Sequence, residues 1–220
     1  QKVRAGSERR STEMALWHVD AGRLVKLEDE LTENVSLIEG RDHAVGRDGT
    51  PWDRDRMFGP VYQDVYLVDV TTGDKEKVLE RKEFFFGASV GGDYLFWFED
   101  DHYWTMDVES GEITNITQGL DGVFVNVDDD HTVEQKPPYR FAGWLEDDEA
   151  VLIYDKHDIW RVAPDGSGGE RITDGAAENV RHRWTRIDPN LPFISGPQAI
   201  DPDAEQWFTL YDDWEEAWGY

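Results

Sequence analysis

The sequence predicts an all-β fold, and two observations carry that prediction. First, one phrase recurs, in which an aromatic-rich strand is followed by an acidic turn that a glycine closes. Its copies are Asp64–Gly73, His102–Gly111, Asp158–Gly166 and the shorter Ala15–Gly22. Second, the copies lie roughly 40 to 60 residues apart, which suits a four-stranded propeller blade with loops of unequal size. The sequence therefore predicts a β-propeller portion of about four blades of four-stranded antiparallel sheet, as part of a ring that would form an open arc.

The segments between the repeated phrases also read as strands and turns. Phe84–Phe86 and Tyr94–Phe98 flank a Gly-Gly-Asp turn, and residues 141–144 and 150–154 flank the acidic turn 146–149. Short aromatic and β-branched runs bounded by Gly and Asp are typical of hairpins. These segments therefore supply the other strands of each predicted blade.

The domain organisation follows from this pattern. Residues 1–13 are predicted to be a polar lead-in, and residues 14–220 to be blades from a longer propeller. Leu24–Leu37 fits period two about as well as period 3.6, and we predict strand plus loop there. Gly40–Tyr62 and Leu120–Tyr139 are predicted to be long surface insertions projecting from one rim. The aromatic-rich end at Tyr220 suggests a cut through a longer protein.

Composition narrows the class of protein. Ten Trp, eight Tyr and ten Phe can fill a sizeable core, which argues against a disordered chain. No run is long enough to span a membrane, and Gln1–Thr12 lacks the apolar centre of a secretory signal. The absence of Cys excludes disulfides and Cys-ligated metals.

Charge is the second strong signal. The 48 acidic and 22 basic residues give a formal net charge of −26, which repels nucleic acid and anionic membranes. At ~1 M salt the Debye length is only ~3 Å, so most of the self-repulsion would be screened. The Asp-rich, Lys-poor composition therefore predicts adaptation to a salty environment, with an ordinary acidic protein as the alternative.

One short pattern resembles a nucleophile motif. Gly87–Gly91 matches G-x-S-x-G, with Ser89 at the position of the nucleophile. That chemistry needs the Ser on a sharp turn from a strand into a helix. Here a Gly-Gly-Asp turn and a second aromatic strand follow, so we predict a hairpin with a structural Ser89. No catalytic residue is assigned.

The sequence evidence for a metal site is weaker still. His102 and His157 occupy nearly the same place in two repeats, and successive blades are rotated, so we predict two separate strand-edge histidines. His182 lies between two arginines, which disfavour a bound cation. The acidic loop Asp121–Asp130 offers oxygen ligands but lacks the spacing of a calcium loop. No metal ligand, cofactor or cofactor-binding residue is assigned, and calcium at this loop stays an open question.

Two other patterns are weighed and set aside. Gly46–Trp52 resembles the aspartate box of sialidase-type propellers, but Asp48 and Gly49 are adjacent, so the spacing is wrong. Asn34 and Asn115 open glycosylation sequons, which we interpret as accidental.

Three stretches of the chain resemble propeller blades of prolyl oligopeptidase-family serine peptidases, the large multidomain bacterial type. They are Asp64–Gly73, Ser89–Asp101 and Tyr154–Thr173, and the resemblance covers roughly Gln63–Tyr211. In that family an Asp, a Gly and an Ile-Thr or Leu-Thr strand mark each blade, as Asp69, Gly73 and Ile172-Thr173 do here. The Tol-system propeller and other propellers carry similar phrases.

The resemblance implies a function for the blades. In that family an α/β-hydrolase domain follows the propeller, with its triad in the order Ser, Asp, His, and the propeller limits access to the active site. We therefore expect a non-catalytic gating and scaffold segment of a periplasmic or secreted serine peptidase acting on oligopeptides. Its expected partners are a C-terminal hydrolase domain, the remaining blades and the peptide substrate, with no nucleic acid and no membrane insertion.

Two alternatives stay open. A stand-alone propeller of the Tol-system type would bind protein partners through an aromatic patch. A propeller glycosidase or lyase would cluster carboxylates or arginines with perturbed pKa values.

Overall fold

The computed structural model describes residues 12–32, 34–38, 40–186 and 198–219. The chain divides into two compact units, Gln1–Lys82 and Glu83–Tyr220. Most of the predicted lead-in, residues 1–11, lies outside the described residues. In the described part, regular structure is almost entirely antiparallel strand, and the helices there are four short 3-10 segments: Thr50–Trp52, Asp55–Phe58, Glu146–Asp148 and Gly175–Ala177.

The first unit contains a two-stranded hairpin and a four-stranded sheet. Strands β1 (Ala15–His18) and β2 (Arg23–Lys26) form the hairpin. The sheet has the order β3-β4-β5-β6, with the bounds Asn34–Leu37, His43–Asp48, Gln63–Asp69 and Lys75–Lys82. Strand β5 is buried over most of its length, because both of its faces are covered and its residues are mainly Val, Leu and Tyr.

The second unit contains three further antiparallel sheets, each in chain order. The first is β7 (Phe84–Ala88), β8 (Tyr94–Glu99), β9 (His102–Asp107) and β10 (Ile113–Asn115). The second is β11 (Phe141–Trp144), β12 (Val151–Tyr154), β13 (Ile159–Val162) and β14 (Gly169–Arg171). The third is three-stranded: β15 (Val180–Thr185), β16 (Trp207–Asp212) and β17 (Ala217–Gly219). The predicted all-β fold of about four antiparallel propeller blades is confirmed.

The repeated phrase has one structural meaning in all three four-stranded sheets. It is the third strand, β5, β9 or β13, together with the turn into the fourth strand. In two copies the same turn closes the hairpin. The carboxylates of Asp69 and Asp107 accept hydrogen bonds from backbone N–H groups of the turn, and Gly73 and Gly111 have positive φ. Asp and Gly recur because this turn needs a local acceptor and a left-handed residue.

Aromatic side chains fill the core of the second unit. Phe96 lies 5.5 Å from Trp144, centroid to centroid and edge to face, so the sheet of β8 packs on the sheet of β11. The hydroxyl of Tyr103 donates to the carbonyl of Arg140 over 2.7 Å, and burial raises the pKa of this phenol well above its usual value. The two sheets are therefore joined by both apolar packing and a buried polar contact.

The segments that connect the repeated phrases agree only in part with the sequence predictions. Leu24–Leu37 is strand, loop and strand, as predicted, over its described residues. The prediction that Gly40–Tyr62 is an insertion is wrong in part, because His43–Asp48 is the inner strand β4 and pairs with both β3 and β5. Leu120–Tyr139 is irregular apart from a bridge between Val125 and Pro138. It is not wholly on the surface, since Phe124 is buried in the aromatic core.

Candidate functional site

Ser89 lies in the turn between β7 and β8, and its side chain has structural partners. Its hydroxyl donates to Asp148 and accepts from the N–H of Tyr94 over 3.0 Å. Ser89 and Asp148 are both only 3% exposed. The chain continues directly into β8, so the predicted hairpin is confirmed in place of a strand-to-helix elbow.

Buried carboxylates are the main polar feature that sequence reasoning missed. Asp148 also accepts the N–H groups of Gly91 at 2.7 Å and Asp93 at 3.1 Å, from the sheet that precedes its own. Asp158 is fully buried and accepts the Thr173 hydroxyl over 2.7 Å. A buried carboxylate surrounded by donors stabilises a fixed geometry.

The histidines that occupy matching places in two repeats have different partners. The Nδ1 atom of His102 lies 3.0 Å from the hydroxyl of Thr117. The Nε2 atom of His157 lies 3.3 Å from Oδ2 of Asp213. The described residues contain no group of three or more His, Cys, Asp or Glu side chains placed to hold a metal ion.

The acidic loop Asp121–Asp130 binds the neighbouring blade through Asp128. Its carboxylate lies 3.0 Å from the Lys156 ammonium and accepts the hydroxyl of Tyr139 over 3.4 Å. Burial, reinforced by the charge of Asp128, raises the pKa of Tyr139 to about 12. Tyr139 is therefore a neutral hydrogen-bond donor at physiological pH.

Two neighbouring clefts open beside these groups in the second unit. The first, which we call the loop cleft, has a volume of about 340 Å³ between the acidic loop and the β12–β13 turn. The second, the arginine cleft, has a volume of about 410 Å³ on the sheet β15–β16–β17. The aromatic and basic side chains that line one or the other are Tyr139, Lys156, His157, Trp160, Arg171, Arg181, Arg183, Tyr211 and Trp218.

Strand register builds the arginine cleft. Arg181 pairs with Tyr211 and Arg183 with Thr209 across β15 and β16, while Trp218 on β17 pairs with Tyr211. Side chains two residues apart share a face of a strand, so all five point to the same side. The guanidinium carbon of Arg181 lies 5.3 Å from the Tyr211 ring centroid, and the Tyr211 and Trp218 rings are 4.8 Å apart.

Asp213 joins the two clefts. Its Oδ1 lies 2.6 Å from Nη2 of Arg181, and its Oδ2 faces His157 of the loop cleft. Burial alone would raise the pKa of Asp213, but Arg181 and then His157 more than offset it, so the pKa lies below its usual value. Asp213 is therefore ionised at neutral pH and contacts one side chain from each cleft, Arg181 and His157.

The arginine cleft was not predicted from the sequence, and His157 and the acidic loop of the loop cleft were considered only as possible metal ligands. The Arg-His-Arg run at 181–183 was noted only because it disfavours a bound cation. Alternating arginines on a strand of a very acidic chain could have indicated a shared cationic face. The pairing of β15 with β16 spans about 20 intervening residues, and no local pattern specifies it.

Comparisons with known proteins give distant likenesses of structure. No family model and no curated protein matches the chain. A protein described as TolB from Agrobacterium tumefaciens is 17% identical, with a TM-score of 0.44, over 90% of this chain and 69% of that one. An oligogalacturonate lyase from Vibrio parahaemolyticus is 12% identical, with a TM-score of 0.37, over 94% and 59%.

A protein of unknown function from Bacteroides thetaiotaomicron is 14% identical, with a TM-score of 0.35, over 77% of this chain and 40% of that one. The chain thus spans less than two thirds of the length of two of these three proteins. Among the described residues, no helix has both the length and the apolar character that crossing a bilayer requires.

Proposed function

We propose that this chain is a non-catalytic propeller segment that binds oligopeptides or extended polypeptide segments. The observation that carries the proposal is the pair of adjoining clefts lined by aromatic and basic side chains. Tyr, Trp and Arg are the residue types that contribute most to polypeptide binding. Their concentration here contrasts with the chain's formal net charge of −26.

The chemistry of the clefts suits an extended chain. Trp218 is 72% exposed and offers a flat apolar surface beside Arg181. In the loop cleft, the Lys156 ammonium has three N–H donors and contacts Asp128, within a volume that accommodates one or two peptide residues. Apolar surface with a few convergent polar groups is the usual composition of a peptide-binding site.

The sequence stretches that resemble blades of prolyl oligopeptidase-family propellers support a more specific role, which is gating of a serine peptidase. In this proposal oligopeptides dock on the clefts, while hydrolysis takes place in an α/β-hydrolase domain outside this chain. The buried, hydrogen-bonded position of Ser89 supports a structural role for the G-x-S-x-G pattern. A periplasmic or secreted location belongs to the same proposal.

Calorimetric titration of the chain with short peptides, followed by mass spectrometry of the mixture, tests binding without cleavage. We expect saturable binding and intact peptides after prolonged incubation. A Trp218→Ala variant should bind at least about tenfold more weakly, since a desolvated aromatic contact is lost. A Trp104→Ala variant, on β9, is the control for loss of an indole elsewhere. Cleavage that a Ser89→Ala variant abolishes would overturn the non-catalytic assignment.

The gating role is tested on the complete product of the gene. A fluorophosphonate probe should label a serine outside these 220 residues. If the complete product has no labelled serine but the clefts bind polypeptide, the Tol-type alternative of a stand-alone binding propeller replaces the gating role.

One observation favours a second candidate, a propeller lyase for acidic sugars. Arg181 and Arg183 form the kind of arginine cluster that such an enzyme needs for uronate carboxylates. Incubation with an oligogalacturonate, with ultraviolet absorbance to detect an unsaturated product, tests this candidate. We expect no product, and its formation would establish the lyase.

A further inference from the structure

We infer that the arginine cleft binds the free carboxylate of a peptide, with Arg183 as the main cationic contact and Arg181 beside it. The inference rests on the proposed peptide-binding function and names the group that the site recognises. It is carried by the partners of Arg183, by an unused donor of Arg181 and by the aromatic wall next to them.

Arg183 is held in place by carbonyl oxygens. Its Nη1 donates to the carbonyl of His182 over 2.7 Å, and its Nη2 donates to the carbonyls of Lys156 at 2.9 Å and Asp155 at 3.2 Å. Its guanidinium carbon also lies 4.7 Å from the Tyr154 ring centroid. These contacts fix the position of the guanidinium through neutral carbonyl oxygens, while the Asp155 carboxylate acts on its charge only through space.

No carboxylate within the described residues forms an ion pair with Arg183. An arginine remains protonated even where burial lowers its pKa, as it does here. Arg183 therefore presents a partly buried, fixed positive charge to the cleft.

Arg181 supplies a second donor group. One arm of its guanidinium is paired with Asp213 at 2.6 Å. Its side chain is 40% exposed, and its remaining guanidinium N–H groups have no hydrogen-bond acceptor among the described residues. The two arginines therefore offer a planar carboxylate several donors on one face of β15, and charge-assisted hydrogen bonds of this kind are roughly twice as strong as neutral ones.

The rest of the cleft selects the ligand. The Tyr211 and Trp218 rings provide an apolar surface next to the cations, which suits the side chain adjoining a carboxylate. The formal net charge of −26 repels polyanions such as nucleic acids. A single carboxylate on an otherwise neutral or cationic peptide meets the local positive charge without that global repulsion.

Three peptides distinguish the sources of a carboxylate in calorimetric titrations at one salt concentration. The first is Lys-Ala-Ala-Phe with a free carboxyl end, and the second is its amide. The third is the amide of Lys-Ala-Glu-Phe. We expect the first peptide to bind at least about tenfold more tightly than its amide, the scale of one charge-assisted contact.

Variants connect this difference to the arginine. Arg183→Gln should lower the affinity for the free acid about tenfold and leave the amide unaffected. The matched control is Arg161→Gln. Arg161 lies on β13 and forms an exposed ion pair with Glu149, so this variant removes the same charge elsewhere. If Arg183→Gln fails to fold, as judged by circular dichroism, Arg183→Lys and Arg181→Gln serve the same comparison.

Each result has a distinct meaning. Tight binding of the Glu-containing amide, lost in Arg183→Gln, supports the carboxylate site and identifies a side chain as its source. Peptide binding that is indifferent to amidation and to Arg183→Gln overturns the inference and leaves the proposed function standing. Failure of all three peptides to bind overturns both, and Arg183-dependent binding of an oligogalacturonate alone would assign the cleft to an acidic sugar.

Discussion

The buried carboxylate of Asp64 stabilises the start of strand β5. It is 1% exposed and accepts hydrogen bonds from the Trp52 indole at 2.8 Å, the Lys77 ammonium at 2.9 Å and the Arg81 N–H at 3.0 Å. Burial by itself would raise its pKa, but these donors more than offset that effect and the pKa lies below its usual value. The ionised form is therefore bound more favourably in the folded state.

This pKa shift predicts that Asp64→Asn lowers the free energy of unfolding by an amount that depends on pH. Because the folded pKa is depressed, the stabilisation is present above the unfolded value of 3.8 and is lost as the pH falls through the folded value. We expect Asp64→Asn to lower the free energy of unfolding by about 2 kcal/mol near neutral pH. The difference from the parent chain should shrink between about pH 4 and about pH 3.

Urea unfolding of both proteins across that pH range measures the difference. Asp53→Asn, an exposed change in the same unit, is the control and should have little effect at any pH. A cost for Asp64→Asn that stays constant down to about pH 3 would contradict the assigned pKa shift.

Individual side chains were the least predictable feature of this sequence. Runs of Asp and Glu normally lie in solvent, so the turn 146–149 gave no sign that Asp148 is buried while Asp147 is exposed. The difference depends on the N–H groups of a hairpin about 55 residues away in the chain. A single sequence does not encode such a contact in any local pattern.

At the scale of elements, the Asp148 carboxylate fastens one hairpin to the next. It lies in the β11–β12 connection and binds the β7–β8 turn through Ser89, Gly91 and Asp93. An added Cβ at Gly91 would contact this carboxylate, so the turn fits closely around it. The two sheets of the second unit therefore share a polar contact at the edge of their aromatic core.

This contact predicts a contrast between neighbouring acids. Asp148→Asn puts an amide NH₂ among N–H donors, and we expect it to lower the free energy of unfolding by about 2 to 3 kcal/mol. Asp147→Asn removes the same charge from the exposed neighbour and should change stability by less than about 0.5 kcal/mol. Both residues have positive φ, which Asn tolerates, so backbone strain does not separate the two variants.

Denaturant unfolding of the two variants and of Ser89→Ala gives the comparison. The Asp148 and Ser89 changes should be non-additive when combined, because they remove the same hydrogen bond. Equal effects of Asp147→Asn and Asp148→Asn would contradict the proposed contact.

Elements were more predictable than side chains. The aromatic-acid-glycine phrase identified β5, β9 and β13 with their hairpins, because strand alternation and turn chemistry are both local. Strand β4 was missed because His43–Asp48 contains Gly46, Arg47 and Asp48, which resemble a loop. The arginine cleft was missed for a different reason, since its faces depend on the pairing of β15 with β16 and β17.

At the scale of the whole molecule, charge is the dominant property. The formal net charge of −26 lies on 220 residues, and many carboxylates are adjacent to one another in sequence. Asp100 and Asp101, for example, are consecutive exposed acids with positive φ at the β8–β9 turn. Repulsion among such groups opposes the compact state at low ionic strength.

Salt should therefore stabilise the folded chain. The Debye length falls from ~10 Å at ~0.1 M to ~3 Å at ~1 M salt, which screens most repulsion between exposed carboxylates. We expect the melting temperature to rise by about 5 to 10 °C between about 0.1 M and about 2 M KCl. An Asp100→Asn, Asp101→Asn double variant should melt at a higher temperature at low salt, and its melting temperature should rise less steeply with KCl, because one repulsive pair has been removed.

Thermal unfolding followed by circular dichroism measures the dependence of the melting temperature on KCl for both proteins, with sucrose in place of KCl as the control for general solvent exclusion. A melting temperature that does not change with KCl would contradict this account, since it would mean that the carboxylates repel one another no more in the folded chain than in the unfolded one.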